Sequence, residues 1–112
     1  MKKVEAIIRP ETLLVVEQGL EERGFGGFTL ADVRGHGNQA AERGTWRGEE
    51  FELHVVHKIL ISVLCEDEEA PVVVETILNT AKTGAVGDGI VTVTDVAAVF
   101  VTRTGERVSA DA

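Results

Sequence analysis

The chain has no tyrosine, one cysteine, one tryptophan and two prolines among its 112 residues, and each shortage removes some chemistry. A single cysteine closes no internal disulfide, and Cys65 lies in an apolar run where it reads as a small buried hydrophobe. Without tyrosine there is no phenolic oxygen to carry a modification. No window approaches 18 apolar residues, so no membrane-inserted helix is expected. The start Met1-Lys2-Lys3-Val4-Glu5 lacks the apolar stretch of a signal peptide, and a reducing, cytoplasmic setting is expected. Positive charge is scarce as well: 11 basic against 19 acidic side chains leave a net charge of −8. That balance argues against nucleic acid or an anionic membrane as partner.

Glycine, by contrast, is plentiful at 12 residues. Gly84, Gly87 and Gly89 punctuate Thr83-Gly84-Ala85-Val86-Gly87-Asp88-Gly89-Ile90-Val91, between an apolar helical run and a Val/Thr-alternating run. Such a backbone can take positive φ, and successive N–H groups of the turn can form a concave anion nest without a basic side chain. The plainer alternative is a helix C-cap at Gly84 followed by a tight turn.

Along the chain, Lys3–Arg9 is a short apolar strand ended by Pro10, which suits the first position of a helix. Leu13, Val16 and Leu20 recur at helical spacing, and Gly24, Gly26 and Gly27 close that helix. Phe28–Arg34 alternates apolar with polar as a strand with one wet face. From Gly35 to about His54 there is almost no apolar periodicity. A loop that long in a small domain is usually functional or disordered, so it is expected to be mobile without a partner. Trp46 and Phe51 are its aromatics, suited either to covering the parent domain or to anchoring a partner protein.

Lys58–Cys65 is apolar enough for a central strand covered on both faces. Asp67 is the expected N-cap of a second helix whose stripe is Val74, Ile77, Leu78 and Ala81. Ile90–Thr94 and Ala98–Thr102 are β-prone, and the chain closes in a polar, frayed tail at about residues 105–112. The order β-α-β, long loop, β-α-β predicts an α+β, ferredoxin-like βαββαβ sandwich in one domain spanning residues 1–112. Its open sheet face needs cover, which a homo-oligomer would supply.

Several separated segments then share one resemblance: Met1–Pro10, Val33-Arg34-Gly35-His36-Gly37-Asn38-Gln39, Thr80–Gly84, Gly87-Asp88-Gly89 and Arg103-Thr104-Gly105-Glu106. The sequence resembles the PII signal-transduction proteins from end to end. The resemblance implies a compact homotrimer with adenine nucleotides bound in intersubunit clefts, and a T-loop, here about residues 37–54, that docks on a target transporter or enzyme. It also implies sensing of ATP against ADP and of 2-oxoglutarate.

Carried over by position, Gly87, Asp88 and Gly89 would wrap the nucleotide phosphates, while Thr29 and Leu64 would hold adenine. Gly35 and Gly37 would let the T-loop base pass near the phosphates. Gln39 would help to hold Mg²⁺ and 2-oxoglutarate, Lys58 would pair with the 2-oxoglutarate carboxylate, and Arg103 would bind phosphate. Trp46, Arg47 and Phe51 would meet the target. No resident metal is expected, although His36, His54 and His57 flank the T-loop.

The chain also departs from the family pattern. Ile90 and Val101 stand where the family has lysine and arginine, and Asn38 stands where it has arginine. Three cationic phosphate contacts are thus missing, so ADP or AMP is expected to bind as well as ATP or better. Phe51 stands at the family's uridylylated tyrosine, and a phenyl ring has no nucleophilic oxygen. These losses resemble divergent PII-like groups tied to bicarbonate uptake or metal efflux. A small phosphate hydrolase on the same scaffold is the alternative of another class, but the chain offers no nucleophile–base set for it. The reading is therefore a non-catalytic regulator, not an enzyme, in nitrogen or carbon metabolism.

Overall fold

The computed structural model describes residues 1–36, 42–46, 49–53 and 55–108. Strand β1 (Lys2–Ile8) leads through a 3₁₀ turn at Pro10–Thr12 into helix α1 (Leu13–Glu22) and then strand β2 (Phe28–His36). Two short strands follow, β3 (Glu42–Trp46) and β4 (Glu49–Leu53), and then the long β5 (Val55–Cys65). Helix α2 (Ala70–Ala81) precedes β6 (Ile90–Asp95), β7 (Val99–Phe100) and β8 (Arg107–Val108). The main sheet has the order β2-β5-β1-β6, and every neighbouring pair is antiparallel. That is the split βαβ arrangement expected from the sequence.

Alternation along the strands decides which face is packed. Val4, Ala6 and Ile8 of β1 stand opposite Val63, Ile61 and Ile59 of β5, and the first five of these are fully buried. Val16 and Leu20 of α1 and Val73 and Ile77 of α2 close over them, so both helices lie on this face. Each such side chain contributes roughly 1.5–3 kcal/mol by leaving water. The helices cross closely at Gly19, where an added Cβ would meet Thr80 Cγ2 at 2.9 Å and Thr76 Cγ2 at 3.2 Å. Gly24, at φ 89°, ends α1 in a Schellman turn: Phe25 N donates to Leu20 O at 2.9 Å and Gly24 N to Glu21 O at 3.0 Å.

Several expectations need correction. Within the single chain, central strand β5 is covered by the helices on one face only. Lys58, Leu60, Ser62 and Leu64 point to the side opposite the helices, and Leu64 is 47% exposed. The stripe of α2 is rotated toward α1: Val73 and Thr76 are buried with Ile77 and Ala81, while Leu78 is exposed. Asp67 is not the N-cap. It accepts from the Met1 ammonium at 2.8 Å, while Glu69 Oε1 receives Glu66 N–H at 2.9 Å ahead of α2.

The stretch read as a long loop contains a hairpin, with Glu42–Trp46 antiparallel to Glu49–Leu53. Its two strands pair with each other in a separate two-stranded sheet. The second β-prone run is revised, as are residues 105–108 of the expected frayed tail, whose residues 109–112 lie outside the described residues. Val99–Phe100 pairs with Arg107–Val108 outside the main sheet, closed by Gly105 N to Val101 O at 2.7 Å.

Candidate functional site

The glycine turn connects α2 to β6. The helix stops at Ala81 and Lys82 is already extended, so Gly84 is not its cap. Gly84, Gly87 and Gly89 have φ values of 91°, 101° and 101°. Gly89 carries a second constraint, because a Cβ there would lie 1.7 Å from the carbonyl oxygen of Ile7. The turn therefore rests directly on the end of β1, and no other residue type fits at that contact.

Polar groups fasten the rest of the turn. Asp88 Oδ2 accepts from the backbone N–H groups of Thr83 and Gly84, each at 2.8 Å. Its Oδ1 accepts from the Thr83 hydroxyl and, at 3.0 Å, from Arg9 Nε. The Arg9 guanidinium reaches on to Val86 O at 2.8 Å, and Lys58 Nζ donates to Gly87 O. The N–H groups of Val86, Gly87 and Gly89 donate to no acceptor among the described residues. Consecutive free donors with left-handed glycines between them are the makings of an anion nest.

The electrostatics follow from these contacts. The Thr83 hydroxyl, opposed by burial and helped by Arg9 and the two backbone donors, holds the Asp88 carboxyl far below the ordinary range. Lys58 sits in an interior strand and is only 7% exposed, so it is no edge residue. Burial, and then neighbouring Arg9, pushes its pKa down. A cation with a neutral carbonyl as its hydrogen-bond partner is suited to an incoming anion. Gly35 lies alongside, where an added Cβ would touch Lys58 Cγ at 3.7 Å.

The structure thus joins Lys58, Gly35, Gly87, Asp88 and Gly89 at one end of the open sheet face. The Asp88 carboxylate is spent on the turn and on Arg9. Arg9 and Thr83 are the residues that sequence reading missed. The Thr83–Asp88 pair was findable as a side-chain-closed turn. The Arg9 contact was not, since 79 residues separate it from Asp88.

Thr29 and Leu64 come together elsewhere. With Lys3, Phe28 and Ser62 they line a shallow depression of about 470 Å³ at the other end of the same face. Leu64 and Lys58 are six positions apart on β5, ~20 Å at strand rise. Arg103 sits exposed in the β7–β8 turn, beyond the end of β6 that lies away from the glycine turn.

Ile90 is 63% exposed beside Leu78, along a cleft of about 390 Å³ between α2 and β6. Val101 is 40% exposed. Neither position carries a cation. Trp46 and Phe51 lie in the hairpin strands, opposite Glu49 and Gly44, while Gly37, Asn38, Gln39, Arg47 and His54 lie outside the described residues. Among the described residues no three His, Cys, Asp or Glu side chains gather to hold a metal, and no helix is long and apolar enough to cross a membrane.

The sequence model of the family described as "Nitrogen regulatory protein P-II" matches residues 1–106. Among similar proteins, the nitrogen regulatory protein P-II of Porphyra purpurea is 39% identical over 110 residues, covering 98% of each chain. That of Rhizobium meliloti (strain 1021) is 41% identical over 106 residues, 95% of each. Nitrogen regulatory protein P-II 1 of Escherichia coli (strain K12) is 40% identical over 107 residues, 96% of each.

Proposed function

The chain belongs to the nitrogen regulatory protein P-II family of regulatory signalling proteins, and from that premise we propose a non-catalytic sensor of adenine nucleotides. It binds ADP, AMP or ATP at clefts between the subunits of a homotrimer. Through the 37–54 segment it acts on a transporter or enzyme of nitrogen or carbon metabolism in the cytoplasm. The observation that carries this reading is the glycine turn, whose Val86, Gly87 and Gly89 N–H groups meet no acceptor among the described residues, beside the buried Lys58 cation. Those donors suit phosphate oxygens. Lys58, with Gln39 and Mg²⁺, is the expected place for the 2-oxoglutarate carboxylate.

The intersubunit placement has its own support. The phosphate-type and adenine-type residues lie ~20 Å apart along β5. A single nucleotide reaches both kinds most readily if they come from adjacent copies. The open sheet face, with Ile7, Leu60 and Leu64 among its polar residues, is where such copies would pack.

Calorimetry with ATP, ADP, AMP and cyclic AMP, each with and without Mg²⁺ and 2-oxoglutarate, tests the ligand. Saturable binding of at least one nucleotide is expected, and no binding of any would sink the reading. Light scattering at micromolar concentration is expected to give the mass of a trimer, and a monomer mass would remove the intersubunit cleft. An assay with ATP and acyl phosphates is expected to show no turnover.

A further inference from the structure

We infer that Asp88 is a positioning residue for phosphate: with Thr83 and Arg9 it forms a clasp that fills the first two N–H groups of the turn and presents the later ones to the ligand. This rests on the nucleotide reading above and adds to it the device that shapes the turn.

The need for a clasp comes from composition. Three glycines in the segment 84–89 give it a large conformational entropy to lose, and no apolar side chain of the turn anchors it, since Val86 is exposed. Asp88 meets that need with both oxygens. One bridges the Thr83 and Gly84 N–H groups, and the other takes the Thr83 hydroxyl and Arg9 Nε. Arg9 contributes two donors in a fixed fork, one to Asp88 and one to Val86 O. It thereby fixes the turn to the end of β1 at two points, next to the Gly89–Ile7 contact. The carboxylate occupies the part of the nest where a ligand anion would otherwise compete. The donors at Val86, Gly87 and Gly89, which meet no acceptor among the described residues, are held in place. Asp88 thus acts on the ligand through the backbone without touching it.

The test is calorimetry with Mg²⁺-free ADP on the full-length wild type, Asp88→Asn, Thr83→Val, Arg9→Lys, Arg9→Gln and the Asp88→Asn/Arg9→Gln double variant. Adenosine serves as the phosphate-free probe. Asp88→Asn is expected to weaken ADP about tenfold or more while adenosine stays within about twofold. Thr83→Val should move in the same direction by less. Arg9→Lys keeps the charge but lacks the fork, so it should not rescue. The double variant should be no weaker than the worse single, because the two residues act as one unit. In the same Asp88→Asn protein, amide exchange at Thr83 and Gly84 should accelerate. If Asp88→Asn does not fold, Thr83→Val and Arg9→Lys carry the test.

ADP affinity that is unchanged or tighter in the clasp variants overturns the inference while wild-type binding keeps the nucleotide reading intact. Equal losses for ADP and adenosine also overturn it, since that would be a general structural effect. A wild type that binds neither ligand overturns the nucleotide reading itself, and the clasp's role with it.

Discussion

The two faces of one sheet are built from alternate residues of the same strands, yet they do opposite things. Toward the helices, β1 and β5 present Val4, Ala6, Ile8, Ile61, Val63 and Cys65, all buried. Away from them they present Lys3, Glu5, Ile7, Lys58, Leu60, Ser62 and Leu64, in which Ser62 donates to Glu5 at 3.0 Å and Lys3 pairs with Glu5 at 3.4 Å. Register fixes the assignment, since a slip of one residue would exchange the two sets. Thr29, Gly35, Lys58 and Leu64, the candidate site residues carried by strands, all lie on the open face. One face makes the fold, and the other carries the residues of the proposed site.

This division is sharpest in stability. Ile61→Ala is expected to cost ~3 kcal/mol through a cavity among rigid neighbours. Leu64→Ala, three residues along the same strand, should cost under ~1 kcal/mol. Urea unfolding at concentrations too low for self-association checks the pair, and equal costs would break the comparison.

Gly89 is where the open face meets the turn. Gly89→Ala should cost ~2 kcal/mol by forcing a side chain into a positive-φ position against a carbonyl. Thermal unfolding reads that cost, and calorimetry should show nucleotide affinity falling with it.

Ligand preference comes next in size. With exposed Ile90 and Val101 in place of cations, ATP should bind no more tightly than ADP. Ile90→Lys should tighten ATP selectively, by about tenfold for one charge-assisted contact. A wild type that prefers ATP at least tenfold would show that other residues supply the charge.

The smallest effect is in acid. Asp88 has its folded pKa depressed below the ordinary 3.8. Its contribution is present in full above that value and is lost as pH falls toward the folded pKa. The stability gap between wild type and Asp88→Asn should therefore be constant at neutral pH and shrink below about pH 4. A gap that does not shrink at all between about pH 4 and pH 2 would place the stabilisation elsewhere.

Much of the fold was legible in the sequence because it rests on local signals. Val16 and Leu20 mark a helix by spacing, Lys3–Arg9 and Lys58–Cys65 mark strands by unbroken apolar runs, and Gly24 marks a helix end. The α2 stripe was misread because Val72, Val73 and Val74 are equally apolar, and only the crossing at Gly19 decides which of them is buried. The pairing of Glu42–Trp46 with Glu49–Leu53 was invisible because those runs hold few apolar residues to set a period. At the site, glycine spacing pointed to the turn and the family resemblance to Lys58. The Asp88–Arg9 contact depends on β1 and β6 being neighbours, and a sheet order is not written in any short stretch.

The ladder between β2 and β5 runs without interruption from Phe28↔Val63 through Val33↔Lys58 to His36↔Val55. The strand that holds Lys58 under the glycine turn is therefore the same strand that carries one foot of the 37–54 segment, and β2 carries the other. The two feet are locked side by side and cannot move independently. From Lys58 the paired ribbon continues for three more residues, to the pair His36↔Val55 at which the ladder ends.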